Sequence, residues 1–336
     1  MRMKFFPFLL VLLIVSSCGR NDRFSIDTSE NRTDVKIQRF DSALILLDTL
    51  NATASVKEIY KAYPVFFRQF ITAVDTVQPA DTLKVARNLR NFITYPEVRK
   101  INRRVMEVFA DVSDIEKEIS EAYTYLNHYF PKLPKPDVWF FVSGMSRQII
   151  TDERMEAIGI GSDFYLGADY EPYKSLVYDY MLQNMNRRNL SVDLISTLLF
   201  NYFRFDSKQN RLIDNMLHRG KVMFMLAVFM PERPLNDIIG YNTTQWNWAV
   251  KNEKEIWNTV VSQKDIFSSD LQLIRKYLND APFTSPVSQE SPGRLGTWIG
   301  MRIVESYMNK NKEVTLQQLM QINDYQKLME ESGYKP

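Results

Sequence analysis

Val138-Trp139-Phe140-Phe141-Val142 decides the fold class, because it is a β-type run in a chain whose other apolar segments repeat with helical spacing. It is entered from the proline-rich Pro131-Lys132-Leu133-Pro134-Lys135-Pro136, and Pro131 closes the helical pattern before it. Downstream, Ala157-Ile158-Gly159-Ile160-Gly161-Ser162-Asp163-Phe164-Tyr165-Leu166-Gly167 mixes β-formers with glycines. Turn-forming residues around Thr151-Asp152-Glu153 allow the two runs to pair as a hairpin. Further out, the periodicity is helical. Ser55 with Glu58, Ser113 with Glu116 and Thr315 with Gln318 have capping-box spacing. Val56, Ile59, Tyr60, Tyr63, Phe66, Phe67 and Phe70 follow the first box, with Pro64 placed to kink or end that helix. Ile115, Ile119, Ala122, Tyr123, Leu126 and Phe130 follow the second, and Ser191 precedes the stripe Val192, Ile195, Leu198, Leu199, Tyr202 and Phe203. A helix starting near Thr244 carries Trp246, Val250, Trp257 and Val261 on one stripe, which assigns most of this aromatic content to the core. The expected fold is α+β and predominantly helical, with a small β-sheet near residues 138–167 set among helices. No repeat or low-complexity linker interrupts it, so residues 35–330 read as a single globular domain with residues 35–130 as a candidate helical subdomain.

The N-terminus reads as an address. Arg2 and Lys4 form a positive start, and residues 5–15 form an apolar stretch too short for a membrane span but suited to a signal peptide over residues 1–17. It ends in Val15-Ser16-Ser17-Cys18, where small residues precede the single cysteine as in a bacterial lipobox. Cys18 is therefore expected to carry two or three palmitate-type acyl chains, enough for stable anchoring. Gly19 follows, so an inner-membrane retention signal is not indicated and the outer membrane is expected, with the body facing the periplasm. Residues 18–34 read as the lipidated cysteine and a flexible polar spacer.

Composition bounds the chemistry. The chain has 336 residues, 42 Lys and Arg against 40 Asp and Glu, two His and one Cys. Arg2 and Lys4 are the only charges in residues 1–17, so the remainder is balanced and lacks a basic field for nucleic acid. Two His and one Cys are too few for a zinc site of the usual nitrogen and sulfur type, and one Cys forms no intrachain disulfide. His128 and His218 lie in separate helical patterns and read as structural. Gly144-Met145-Ser146-Arg147-Gln148 fails as a nucleophile elbow, and Gly159-Ile160-Gly161-Ser162-Asp163-Phe164 fails as a dinucleotide fingerprint, each at its last position. No cofactor and no metal are expected. The run over residues 222–230 is wholly apolar but short, a buried helix end closed by Pro231.

Two segments are candidate binding or packing motifs. In the first, Gly159, Gly161 and Gly167 interleave with Asp163, Tyr165 and Asp169, and glycines at alternate strand positions let a backbone or ligand approach closely. In the second, Ser291-Pro292-Gly293-Arg294-Leu295-Gly296-Thr297-Trp298-Ile299-Gly300, a serine cap and N1 proline start a helix. Gly293, Gly296 and Gly300 then share a face, with Arg294 and Trp298 between them. Each glycine costs roughly 0.8–1 kcal/mol against alanine in a helix interior. That cost points to another element, or a ligand or partner groove, packed on the glycine face.

These motifs in this order resemble the gliding-motility lipoprotein GldB family of the Bacteroidetes. The matching stretches are Arg39-Phe40-Asp41, Tyr63-Pro64-Val65-Phe66-Phe67, Phe141-Val142-Ser143-Gly144, the segment from Gly159 to Asp169, Asn279-Asp280-Ala281-Pro282-Phe283-Thr284, the Ser291 to Gly300 motif and Ser306-Tyr307-Met308. The resemblance implies a lipid-anchored envelope protein associated with gliding machinery. That family in turn is similar to zincin-type metallopeptidases, implying a peptidase scaffold. Here, however, the helix after the sheet is Asp193-Leu194-Ile195-Ser196-Thr197-Leu198-Leu199, without the His and Glu ligands, and Arg219 stands where the later ligand falls. The expectation is a non-catalytic binding or scaffolding role, with membrane attachment through Cys18 and envelope proteins as partners. A carboxylate-dependent hydrolase using Asp163 or Asp169, and a glycan-binding uptake lipoprotein, are the alternatives.

Overall fold

A computed structural model describes residues 22–29, 31–75 and 78–336; residues 1–17, read as a signal peptide, and Cys18 lie outside the described residues. The sheet has four strands: β1 (Gln38–Arg39), β2 (Asp137–Phe141), β3 (Ile149–Thr151) and β4 (Ala157–Gly161), in the spatial order β1-β2-β4-β3. Its surroundings are helical, as the periodicity requires, so the fold is a predominantly helical α+β. Between β1 and β2 come α1 (Phe40–Ile45), α2 (Ala52–Ala62), α3 (Pro64–Phe70), α4 (Thr82–Thr94), α5 (Pro96–Val108) and α6 (Ser113–Tyr129). After it come α7 (Asp179–Leu182), α8 (Leu190–Tyr202), α9 (Leu212–Phe229), α10 (Leu235–Ile239), α11 (Thr243–Lys251), α12 (Glu253–Ser262), α13 (Leu271–Leu278), α14 (Leu295–Lys310), α15 (Leu316–Gln321) and α16 (Tyr325–Ser332).

The hairpin expectation needs correction. The run at Val138 and the run at Ala157 pair in parallel, with Trp139 opposite Gly159, while the antiparallel partner of β4 is the short edge strand β3. Between β2 and β3 the chain reverses at Gly144 and Met145, whose φ angles of 67° and 66° are left-handed. β3 then runs back along the sheet, and β4 closes between β3 and β2, buried along its whole length.

Strand alternation divides the apolar interior in two. Val138, Phe140, Val142, Ile158 and Ile160 face a large core built with α6, α8, α9 and α14. Phe141, Ile150 and Ala157 face a smaller, aromatic-rich cluster with Phe40, Phe66, Phe67 and Phe70. Phe66 stacks on Trp139 at 4.9 Å with the ring planes 4° apart. The small cluster draws on helices α1–α4, whereas Ile101, Val105 and the apolar face of α6 belong to the large core. Arg39-Phe40-Asp41 joins the two, because the buried Asp41 carboxylate accepts from the Arg39 guanidinium at 2.9 Å, and that guanidinium also donates to the Phe109 carbonyl at 2.7 Å.

Several helix ends differ from the sequence expectation. α2 begins after Asn51, which leaves Ser55 inside the helix, and Glu116 reaches across to Lys36 and the Ile37 amide instead of capping α6. The box of Thr315 and Gln318 forms as expected. α2 ends before Pro64, which starts α3 at its first position. The tryptophan-bearing helix breaks at Asn252 into α11 and α12, leaving Val250 49% and Val261 44% exposed.

From Arg23 onward, the segment read as a spacer is docked on the body. The Arg23 guanidinium donates to the carbonyls of Met308 at 3.2 Å, Asn311 at 3.4 Å and Val314, around the C-terminal end of α14. Phe24 is buried edge-on to Phe224 and Tyr129, and the amides of Thr33 and Val35 donate to Thr124 Oγ1 and Ser120 Oγ, each at 2.9 Å. Among the described residues, no helix is long and apolar enough to cross a membrane.

Candidate functional site

A cavity of about 300 Å³ opens between the sheet edge and α8. Gln148 and Ile149 bring β3 to it, and Asp193, Ser196 and Thr197 line it from one face of α8 at helical spacing. Tyr180, Gln183, Asn184 and Tyr241 form one side, and Asp280, Gly293 and Arg294 another. Asp193 is the only charged residue of α8, in an otherwise apolar helix, and that is the sequence signal which could have singled it out. Its Oδ2 accepts from Tyr165 Oη at 2.9 Å and from Gln148 Nε2 at 3.2 Å, while Gln148 Nε2 also donates to Tyr165 Oη at 2.9 Å. Burial pushes the Asp193 carboxyl up to about 6, against the opposing pull of the Tyr165 hydrogen bond and the Arg294 charge. Arg294 Nη1 stands 3.5 Å from Asp280 Oδ1.

The motif over residues 159–169 contributes to this site through Phe164, which lines the cavity, and through the Tyr165 hydroxyl bonded to Asp193, rather than through its glycines. A Cβ on Gly159 would fall 2.6 Å from the Phe66 ring, and one on Gly161 would fall 2.6 Å from the Arg147 carbonyl oxygen, so the chain itself occupies both spaces. Asp163 is fully buried, and its Oδ2 accepts from the amides of Ser143 at 3.1 Å and Met145 at 2.8 Å, which holds the left-handed turn between β2 and β3. Desolvation pushes its carboxyl up to about 6 despite those bonds. It is thus a structural anchor shut off from any substrate, which removes the geometric basis for using it in hydrolysis. Asp169 is exposed, and its Oδ1 lies 2.6 Å from where a Gly167 Cβ would be, at a φ of 111°.

The second motif is a clasp followed by a helix. Arg294 has a left-handed φ of 63°, and α14 starts only at Leu295, so Ser291 and Pro292 do not open the helix and Gly293 lies outside it. The buried Thr284 takes over the capping: its Oγ1 donates to the Pro292 carbonyl at 2.8 Å and accepts from the Leu295 amide at 3.3 Å. Ser291 Oγ accepts from the Thr284 amide at 3.0 Å, and Tyr241 Oη donates to the Gly293 carbonyl at 2.6 Å. Gly293 is needed because a Cβ there would meet the Ala281 carbonyl oxygen at 2.4 Å. Gly296 packs on Tyr277 and Leu278 of α13. Gly300 and Gly220 face one another across α14 and α9, and a Cβ on Gly300 would lie 2.0 Å from the Met216 carbonyl oxygen. Trp298 is fully buried, edge-on to Trp246 at 6.4 Å. The sequence therefore brings Arg294 and Gly293 to the cavity, while Ser291, Gly296, Trp298 and Gly300 build its support.

Thr197 lies one turn beyond Asp193, and Arg219 of α9 donates to the Leu278 carbonyl at 2.7 Å. His128 ends α6 against the Tyr129 ring, and the buried His218 is pulled down to about 4 by desolvation and by the charges of Lys221 and Arg219. Lys221, which the sequence reading passed over, is buried and donates to the Ile322 carbonyl at 2.7 Å beyond the end of α15. Among the described residues, no group of three His, Cys, Asp or Glu side chains could hold a metal ion.

No curated protein and no solved structure matches this chain. The model of one family, described as gliding motility protein GldB, matches residues 21–336, and on that match the chain belongs to the GldB family of gliding-motility proteins.

Proposed function

We propose that this gliding-associated protein is a lipid-anchored component of the cell envelope that works by binding rather than by catalysis. Cys18 is its acylated residue, the outer membrane its site and the periplasm the side it faces. The observation that carries the reading is the docking of Arg23 and Phe24 on the body. Four residues lie between Cys18 and Arg23, and an extended chain of five residue steps reaches at most about 18 Å. An acylated Cys18 would thus hold this body close against the bilayer, where a partner of the same membrane can meet it. The amide and hydroxyl groups of Gln148, Gln183, Asn184, Ser196 and Thr197 give the cavity beside Asp193 the lining of a recognition site.

Mass spectrometry of the mature N-terminus should find Cys18 acylated, and crosslinking in intact envelopes should join residues around this cavity to envelope proteins. An unmodified Cys18 in a soluble protein would remove the anchor from the proposal. Turnover of a peptide or glycan by the purified protein, lost on Asp193→Asn, would replace binding with catalysis.

A further inference from the structure

We propose that a second cavity, between the end of α8, the middle of α9 and the first turn of α14, binds the phosphate group of an organic phosphate through Arg204, Arg219 and Arg294. Its volume is about 400 Å³. Arg204 just after α8, Arg219 of α9 and Arg294 just before α14 line it, and no carboxylate does. Among the described residues, the one carboxylate paired with any of the three is Asp280, at a long 3.5 Å from Arg294. Arg219 donates from Nη1 to the Leu278 carbonyl at 2.7 Å and, at a long 3.4 Å, from Nη2 to Asn279 Oδ1, and burial together with the charge of Arg294 draws its pKa below the usual arginine value. Asp280 acts on both Arg219 and Arg294 and Asp193 feels Arg294, but neither carboxylate lines this cavity, where a bound oxyanion would add direct charge-assisted hydrogen bonds.

Two further observations point to a ligand. Thr297 lines the same cavity, is 1% exposed, and its buried Oγ1 has no hydrogen-bond partner among the described residues. A buried hydroxyl left unpaired costs free energy, and an oxyanion oxygen would satisfy it. Thr297 also stands in the first turn of a 16-residue helix, whose amide end favours negative charge. The remaining wall is Phe200, Phe205 and Asn215, with a His218 that stays neutral near pH 7. A bare phosphate leaves most of this volume empty, so the fit is a phosphate carried on an apolar or aromatic body. Both a soluble phosphate ester and a lipid headgroup have that chemistry. The site goes beyond the proposed binding role and stands whether or not Cys18 is acylated.

The test is calorimetry on the purified full-length chain with inorganic phosphate and with phenyl phosphate. Phenyl phosphate should bind about tenfold tighter than inorganic phosphate, because the phenylalanine wall adds apolar burial. Arg204→Gln should weaken both ligands about tenfold while leaving the melting temperature unchanged, since Arg204 is exposed and makes no ion pair among the described residues. Thr297→Val should weaken them less. In a second arm, nanodiscs of phosphatidylcholine with or without phosphatidylglycerol distinguish the source. A phosphatidylglycerol preference abolished by Arg204→Gln assigns the lipid headgroup, and phenyl phosphate binding without that preference assigns a soluble ester. Absence of binding at about 10 mM ligand, read also as no rise in melting temperature, overturns the proposal. Affinity unchanged in both variants overturns it equally.

Discussion

The glycine segments at residues 159–167 and 293–300 look alike in composition and differ in what fills the space their side chains leave. On the sheet side, Gly159 gives way to an aromatic ring, Phe66, supplied by α3. On the helix side, Gly293 and Gly300 give way to backbone, the carbonyls of Ala281 and Met216. A ring can tilt or be exchanged for a smaller side chain, whereas a carbonyl moves only with its helix or loop. The sheet side also encloses an ionisable anchor, Asp163, while the helix side is clasped by the neutral hydroxyls of Thr284 and Ser291. The replaceable contact is thus the one at Gly159, and the obligatory ones are those at Gly293, Gly300 and, on the sheet side, Gly161, whose added Cβ would meet the Arg147 carbonyl oxygen.

Gly300→Ala should break the comparison most sharply. Forcing a methyl group to within 2.0 Å of the Met216 carbonyl must separate α9 from α14, at a cost of about 3 kcal/mol or more in denaturant unfolding. Next comes the charge difference. The Asp163 carboxyl has a folded pKa of about 6 against an ordinary 3.8, so the fold binds its proton more tightly than the unfolded chain does. Its stabilising contribution is complete below about pH 4 and is lost as the pH rises through 6. Asp163→Asn lacks this dependence, so the stability of the native protein relative to the variant should fall by up to about 3 kcal/mol between pH 4 and pH 7. Parallel unfolding curves at the two pH values would exclude the effect.

Gly159→Ala should cost about 2 kcal/mol, because the Phe66 ring is wedged between Trp139 and the strand. Adding Phe66→Leu should recover part of that loss, and a strictly additive double-mutant cycle would show that the ring is not the obstacle. The smallest effect is expected at Gly296. There an added Cβ would meet the flexible Leu278 side chain at 2.9 Å and the Tyr277 carbonyl oxygen at 3.0 Å, farther off than the carbonyl at Gly300, and alanine gains about 1 kcal/mol of helix propensity, so Gly296→Ala should cost no more than about 1 kcal/mol.

The helical content was legible wherever an apolar stripe ran for several turns, as in α6, α8 and α9. Capping was read less well. Thr315 has its box partner within one turn, whereas Ser113 lost Glu116 to Lys36 and the Ile37 amide, groups remote in sequence. The two unusual segments were visible as glycine patterns, yet the charged centre of the site was not. Asp193, Gln148 and Tyr165 come from three elements, and only their meeting gives the carboxylate its hydrogen bonds and raised pKa. Arg204 carried no signal in the sequence, and Arg219 stood out only as the residue where a zincin's later ligand falls; the packing of α8, α9 and α14 brings the two to one cavity.

By itself, the sequence determined that helices would surround a small sheet, that Pro64 and Pro131 would end helices, and that the late glycines would be packed against something. Periodicity and backbone sterics are local properties, and they act over a few residues. Only the tertiary structure decided that β2 and β4 run parallel, that Gly300 meets Gly220, and that Thr284 rather than Ser291 caps α14. Each of these depends on which distant segment arrives at a given face, and that is settled by burying the two apolar faces of one sheet simultaneously.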